Sequence, residues 1–372
     1  MSAPAKTTTH SKINRIPVDI PLLLIVASLL VFGLLMVYSS SWDASLLINE
    51  PPTYVFSRQV LWVGLGIAVA VMLSFIDYHI YEKYVVWLMG GVIILLFWVL
   101  IQNEVRFNSS RALFSGSFQP AELAKLSIIL YLSFWLYKRH DTLTDIQVGL
   151  LPLGIILGLV AGLIFVQPDI SAAATIILLG LIMFFLAGGD WKQLIAVIVI
   201  GGLVGGAIVA ATPTGKVRLE QYFNGMQNPV MGSYHIQRTF EAIIKGRLFG
   251  VGLGEADTKF TGLPLPHTDS IFAVIAEETG LFGSFLIITL YLLLIWRGMT
   301  IAKRAPDELG SIMAFGLISW IAIEAMMNIA VIVGLFPFTG NALPFISAGG
   351  SSMLTCMAAV GITMNIARQG IT

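Results

Sequence analysis

The sequence predicts an all-α polytopic membrane protein with ten transmembrane helices, on three observations. Charged residues make up 11% of the chain and hydrophobic residues 57%, whereas a soluble domain carries roughly 25% charged residues. Apolar runs of helical length recur from end to end, and about 20 residues cross the ~30 Å hydrocarbon core. Lys and Arg collect in alternate connections, which sets an orientation. The net charge of zero argues against a nucleic-acid partner. The single cysteine, Cys356, leaves neither a disulfide nor a Cys-based metal site.

In order along the chain, a tail at 1–18 carries Lys6, Lys12 and Arg15. The first run, 19–38, lacks a small-residue cleavage site and is long enough to span, so it is expected to be an uncleaved first helix. Runs 60–76 and 84–102 follow, with Arg58 before one and Lys83 before the other. The fourth run, 120–137, opens with Pro120, favoured in a first turn, and ends before Lys138 and Arg139. The fifth and sixth, 148–166 and 171–188, meet at "QPDIS"; the seventh, 193–211, follows Lys192. The eighth, 270–296, is interrupted by Gly280 and Gly283, so it is either one tilted helix or a kinked one. Runs 311–333 and 350–367 complete the set, flanked by Arg297, Lys303, Arg304 and Arg368, with a tail at 368–372. The opposite short loops hold only Arg58, Arg106 and Arg111. Both tails are therefore expected on the cytoplasmic side, around a single membrane domain at 19–367.

That topology leaves 212–268 outside. Within it, "YHIQRTFEAIIKG" sets Ile236, Phe240, Ile243 and Ile244 at helical spacing, as suits a helix in the membrane interface. "GRLFGVGLGE" follows. No strand–helix–strand unit surrounds its glycines, so a dinucleotide site is a poor reading, and close packing or a mobile loop is expected. No internal repeat is visible, which disfavours inverted-repeat transporters.

An ionised residue at the bilayer centre costs about 3 kcal/mol on insertion scales, so charges inside the runs are functional candidates. Glu122 and Lys125 stand three apart on one helical face. Either they lock helices together or Lys125 meets a phosphate while Glu122 orients it or binds a cation. Asp169 either caps the sixth helix or takes part in the site. Glu277 and Glu278 cannot both face one direction, so at least one bonds to neighbouring helices. Glu324 and Asn328, four apart, read as an interhelical contact. On the outer side Arg58, Arg111, Lys216 and Arg218 either anchor the protein in the interface or receive an anionic ligand.

The stretches "FQPAELAK", "QPDIS", "GVGLGEADTKFTGLPLPHTDSIFAVIAEETGLFG" and "NIAVIVGLFPFTGNALPFISAGGSS" resemble the signature blocks of the SEDS proteins (shape, elongation, division and sporulation), which include FtsW, RodA and SpoVE. The resemblance runs from the first span to the last, and "GLLMVYSSS", "SRQVLWVGLG" and "LPFISAGGSS" look more like FtsW than RodA. It implies a peptidoglycan glycosyltransferase that polymerises lipid II at the outer face of the bacterial cytoplasmic membrane, with a class B penicillin-binding protein as membrane partner. It also implies Asp269 as the essential carboxylate, and Arg111, Glu122, Lys125, Ser347, Gly349, Gly350, Ser351 and Ser352 as matching site positions. The chain departs from the family pattern at Ala112, where Trp is usual, at Ser171 for Gly, at Ala348 for Tyr, and at Lys245 and Arg247 in a stretch usually rich in Gly and Ser.

Such a reaction needs a sugar hydroxyl to attack an anomeric carbon that bears a lipid diphosphate. A carboxylate within reach accepts the proton, and Asp269 stands where the outer loop enters the eighth run. Cations aimed at the leaving group lower the barrier; Arg111, Lys125 and Arg218 are the first candidates, with Arg58, Lys216 and the Ser347–Ser352 turn beside them. Asp169, His267, Thr268 and Glu277 are expected to support the site. His267 either relays a proton or bonds its neighbours, and Asp269 itself has the alternative of being only a helix cap. No cofactor is required by the sequence; a divalent cation, Mg or Mn, on Glu122 or Asp269 is an option. The rival functions are a lipid II flippase or other transporter, and a non-catalytic scaffold of the division complex.

Overall fold

Each of the ten apolar runs falls on a helix in the computed structural model, which describes residues 18–102, 119–211, 213–227 and 232–370. The helices are α1 (Ile20–Ser40), α2 (Trp42–Leu47), α3 (Tyr54–Phe75), α4 (Tyr81–Gln102), α5 (Pro120–Arg139), α6 (Leu151–Val166), α7 (Ile170–Leu186), α8 (Trp191–Ala211), α9 (Pro213–Gln227), α10 (Tyr234–Gly246), α11 (Ile271–Lys303), α12 (Glu308–Ile332) and α13 (Gly350–Gln369). Seven of the described helices are long and apolar enough to cross a membrane. The expected runs outside that set fall on α5, α7 and α8. Of these, α7 and α8 are shorter apolar helices, and α5 carries Glu122 and Lys125.

The centre of the bundle is α5, α7, α12 and α13. Buried residues dominate α5 and α13, while α3, α4 and α8 show large apolar side chains on the outside, as lipid-facing helices do. Close packing of α13 on α3 uses small residues: a Cβ on Gly361 would stand 2.5 Å from the Ala70 carbonyl oxygen. Such contacts let helix backbones approach where no hydrophobic effect drives association.

The expected outer segment 212–268 contains two helices, α9 and α10. Ser233 caps α10 by accepting from Ile236 N. The face of α10 that packs on α11 is built from His235, Thr239, Ala242 and Gly246 as well as Ile236, whereas Ile244 is 71% exposed. The buried stripe is thus rotated toward small residues, because a Cβ at Gly246 would collide with the Ala276 carbonyl.

The eighth run is kinked, not merely tilted. Gly280 has φ 67° and ψ −163° inside α11. The groups freed there bond to the glycine-rich loop: Leu281 N donates to Arg247 O at 3.0 Å and Phe282 N to Leu248 O at 3.1 Å. In return Val251 N donates to Glu277 O at 3.0 Å and Gly252 N to Glu278 O at 3.1 Å. The loop is stitched into the break, so every one of these backbone groups is satisfied where water is scarce. A Cβ at Gly280 would lie 2.4 Å from Gly250 N, and alanine disfavours that left-handed φ. Gly280→Ala is therefore expected to destabilise the protein by at least ~2 kcal/mol, read as a lower unfolding midpoint in detergent; an unchanged midpoint would refute the stitching.

Glu277 and Glu278 brace this region. Glu277 accepts from Asp257 N at 3.1 Å, Thr258 N at 3.3 Å and the Thr258 hydroxyl. Glu278 turns the other way, to Lys259 Nζ at 2.8 Å and Ser39 Oγ at 2.5 Å. The paired acids thus tie the loop before α11 to α1 and α11, as expected for residues that cannot share a direction.

Candidate active site

The Pro that opens α5 and the Asp that caps α7 set two helix starts side by side. Asp169 is the N-cap of α7, accepting from Ala172 N at 3.2 Å and from Ser171 Oγ at 2.9 Å. Its second oxygen accepts from Gln119 Nε2 at 2.9 Å, and Gln119 N donates to Ser351 Oγ at the start of α13. Asp169 is thus the cap expected for this helix and also part of the cavity wall.

Between these helix starts and the loop before α11 lies a cavity of about 250 Å³. Asp269, Thr268, Glu122, Lys125, Asp169, Gly349, Ser351 and Ser352 line it, and so do Glu324 of α12 and Gly340–Ala342 of the strap that follows α12. With Gly350, nine of the expected site positions therefore share one space, although Asp269 is 147 residues from Glu122 by number.

Asp269 is held by its backbone neighbours. His267 O accepts from Ala348 N at 2.9 Å, Thr268 O from Ser347 Oγ at 2.7 Å, and Asp269 O from Asn328 Nδ2 at 2.9 Å. Three successive carbonyls are clamped from α12 and the loop before α13. Gly340 stands against the Asp269 carboxylate: a Cβ there would lie 3.3 Å from Oδ2. Ser270, the residue after Asp269, immediately precedes the first turn of α11. His267 contributes its carbonyl, and its Nδ1 is buried without a partner. Burial holds its imidazole below the usual pKa.

The floor of the cavity is a charge triad. Lys125 Nζ donates to Glu122 Oε1 at 2.7 Å and to Glu324 Oε1, and its ammonium lies 5.7 Å from the Trp320 ring centre. All three charged residues are buried. The expected Glu122–Lys125 pair is present, and its third member, Glu324, makes the interhelical contact expected of it, with Lys125 as the partner that the sequence does not name. Glu122 Oε2 is buried and takes no protein hydrogen bond, which leaves a carboxylate oxygen at the cavity wall.

Of the other expected cations, Arg58 and Lys216 are not in the lining. Arg58 stacks over Tyr54 on α3 and is not in the cavity lining. Its neighbour Gln59 is what holds the turn before α13, donating to Ser347 O at 3.2 Å and accepting from Gly349 N at 3.1 Å. Lys216 is exposed on α9, and Arg218 is on the same helix. Arg111 and Ala112 fall outside the described residues. Among the described residues that line the cavity, Lys125 is the only cation against Glu122, Asp169, Asp269 and Glu324. Ser347 sits behind the lining, tying Leu343 to Thr268. Glu277 is buried a layer away in the loop brace.

For a metal, the candidate ligands Glu122 and Asp269 both line the cavity, yet among the described residues no three His, Cys, Asp or Glu side chains converge to hold an ion. Glu122 already bonds Lys125. The described residues by themselves present no resident ligand set.

The comparisons decide the family. The family described as "Cell cycle protein", FtsW/RodA/SpoVE, matches residues 21–371. The stage V sporulation protein E of Bacillus subtilis is 36% identical over 357 residues, covering 94% of this chain and 97% of that protein. The chain belongs to the FtsW/RodA/SpoVE family. A probable peptidoglycan glycosyltransferase FtsW of Trichlorobacter lovleyi is also 36% identical, over 94% of this chain and 92% of its own length. Among solved structures, a chain from work on a peptidoglycan synthase complex that coordinates polymerization and crosslinking superposes with a TM-score of 0.78, at 24% identity, covering 95% of this chain and 98% of that one. RodA of Thermus thermophilus superposes at 0.68 and 23% identity, over 96% and 99%. At those identities the superpositions show the fold.

Seen as an FtsW/RodA/SpoVE member, the chain compensates locally for its departures. Ser171 adds a hydroxyl bond to the Asp169 cap. Ala348 keeps the backbone bond to His267. Lys245 pairs with Glu241 at 3.0 Å and Asp257 at 3.2 Å, and Arg247, at φ 48°, accepts from Leu281 N in the stitch at the kink.

A second buried histidine supports the Asp269 loop. His235 of α10 bonds Ser270 Oγ at 2.8 Å, and Ser270 Oγ donates to Pro264 O at 2.5 Å. Burial pushes the His235 imidazole from 6.5 down to about 4. Below pH 6.5 the unfolded chain binds the proton and the folded one does not, so stability falls as pH drops from 6.5 toward 4 and is flat above. The unfolding midpoint of wild type is expected to fall more steeply over that window than that of His235→Gln; parallel curves would count against it.

Proposed function

We propose that the chain is a peptidoglycan glycosyltransferase that polymerises lipid II at the outer face of the bacterial cytoplasmic membrane. The observation that carries this is Asp269, clamped at three backbone carbonyls on the rim of a polar cavity whose floor is the Glu122–Lys125–Glu324 triad. In this reading all ten long apolar runs cross the bilayer with both termini cytoplasmic, which puts the Asp269 loop outside.

The acceptor sugar hydroxyl forms a bond to the anomeric carbon of the donor as the bond from that carbon to the diphosphate oxygen breaks. The hydroxyl proton passes to Asp269 as bonding develops. A single in-line displacement inverts the anomeric centre, and the electron pair leaves on undecaprenyl diphosphate. In this reading Lys125, which lines the cavity, meets that charge, with Arg111, Arg218, Lys216 and Arg58 as further candidates on the outer side. Lys125 is held between two carboxylates, so Glu122 and Glu324 fix its position.

A class B penicillin-binding protein is the proposed membrane partner, in keeping with the synthase complex whose chain shares this fold. Division is favoured over elongation, because "GLLMVYSSS", "SRQVLWVGLG" and "LPFISAGGSS" look more like FtsW than RodA. The test is glycan polymerisation from purified lipid II in detergent, with and without a divalent metal and the partner. Polymer supports the reading. Lipid II translocation in proteoliposomes with no polymer under any condition would replace it with a flippase.

A further inference from the structure

A second cavity, about 110 Å³, opens between α9, the start of α10 and the strap after α12. His235, Ile236, Tyr222, Pro337 and Phe338 line it. It is built on the same two segments as the candidate active site: the strap lends Pro337 and Phe338 here and Gly340–Ala342 there, and His235 grips Ser270, the residue after Asp269.

The hydrogen-bond network fixes the His235 tautomer. Ser270 spends its hydroxyl proton on Pro264 O, so its oxygen accepts from His235, and Nε2 carries the hydrogen. Nδ1 is then a lone-pair acceptor. It is buried with no partner on a residue only 7% exposed, an arrangement that costs free energy unless a donor fills it. Burial keeps the ring neutral near neutral pH, so the acceptor persists. Beside it the Phe338 ring stands 4.0 Å away, centre to centre, with Ile236 and Pro337 completing an apolar wall.

A neutral donor flanked by a small apolar group fits this combination. On the glycosyltransferase reading above, we infer that the His235 cavity is a saccharide subsite that receives an acetamido group. The amide N–H donates to Nδ1 and the methyl packs on Phe338. A diphosphate does not fit, because the described lining offers no cation.

The test uses the full chain and lipid II as probe. Glutamine at 235 keeps an N–H near the Nε2 position for Ser270 and removes the Nδ1 acceptor; asparagine keeps an acceptor near Nδ1 and drops the Ser270 tether. His235→Gln is expected to raise KM for lipid II about 3- to 10-fold, the size of one neutral hydrogen bond, while His235→Asn lowers kcat by loosening the Asp269 loop. Lipid II analogues with an acetamido N–H replaced by an ester oxygen, one sugar at a time, need no variant. One of them is expected to show the same loss with wild type and no further loss with His235→Gln. A wild-type KM for His235→Gln, or losses that simply add, would overturn the subsite and leave the glycosyltransferase reading intact. Absence of polymer from wild type would overturn both.

Discussion

Asp269→Asn is expected to lower the polymerisation rate by about 10²- to 10⁴-fold, the range of one positioned general base. The substitution keeps the shape of the side chain and removes its capacity to take a proton. The clamps on this segment are made by the carbonyls of His267, Thr268 and Asp269, which the exchange leaves in place. The loop should stay where it is, and the unfolding midpoint in detergent should stay close to that of wild type. The measurement is the turnover number with saturating lipid II, beside a thermal unfolding curve of the same sample. If the amide elongates glycan at the native rate, Asp269 is not the base. If activity and midpoint fall together, the carboxylate is a structural part of the loop. A fall in rate alone, with KM retained, is the signature of an interaction made only in the transition state.

Much of the architecture is legible in the sequence because membrane helices are written locally. Twenty apolar residues in a row need no distant partner to declare themselves, and the runs at 19–38, 84–102 and 311–333 lie on α1, α4 and α12 within a few residues. The amphipathic α10 is legible in the same way, although its packed face is set by Gly246 against α11 and not by its largest side chains. The site is legible as an inventory of charges that lipid should exclude. Its wiring is not. Lys125 and Glu324 are 199 residues apart, Ser347 and Thr268 are 79 apart, and no periodicity relates them.

Two readings stop short of the partners for a common reason. Arg58 drew notice as a cation, while Gln59 beside it makes the contacts with the turn at Ser347–Gly349. Glu324 and Asn328, four apart on one helix, are expected to make an interhelical contact, and both do reach off their own helix. In the fold Glu324 reaches Lys125 and Asn328 reaches the carbonyls of Asp269 and Asn341. Spacing along one helix names neighbours on that helix, whereas the site is assembled across four.

Lys125→Met carries the second large expectation. The ammonium is the only cation bonded to Glu122 and Glu324 among the described residues, and all three are at most 8% exposed. Removing one partner of a buried ion pair typically costs about 3–5 kcal/mol, because the remaining charge is left uncompensated. Here two carboxylates are left, so the loss should reach the upper end of that range and show as a clear drop in the unfolding midpoint. Activity should disappear with it, which does not separate a structural lock from a group that meets the leaving diphosphate. The separation comes from the triple variant Lys125→Met, Glu122→Gln, Glu324→Gln. Neutral amides can bond each other across the gap, and replacing a whole buried ion cluster by neutral groups is often neutral or stabilising. The midpoint is therefore expected to recover most of its loss. If polymerisation recovers as well, the triad only fastens α5 to α12. If the protein is again stable and still inactive, the charge of Lys125 is needed at the cavity floor, where a departing diphosphate would meet it.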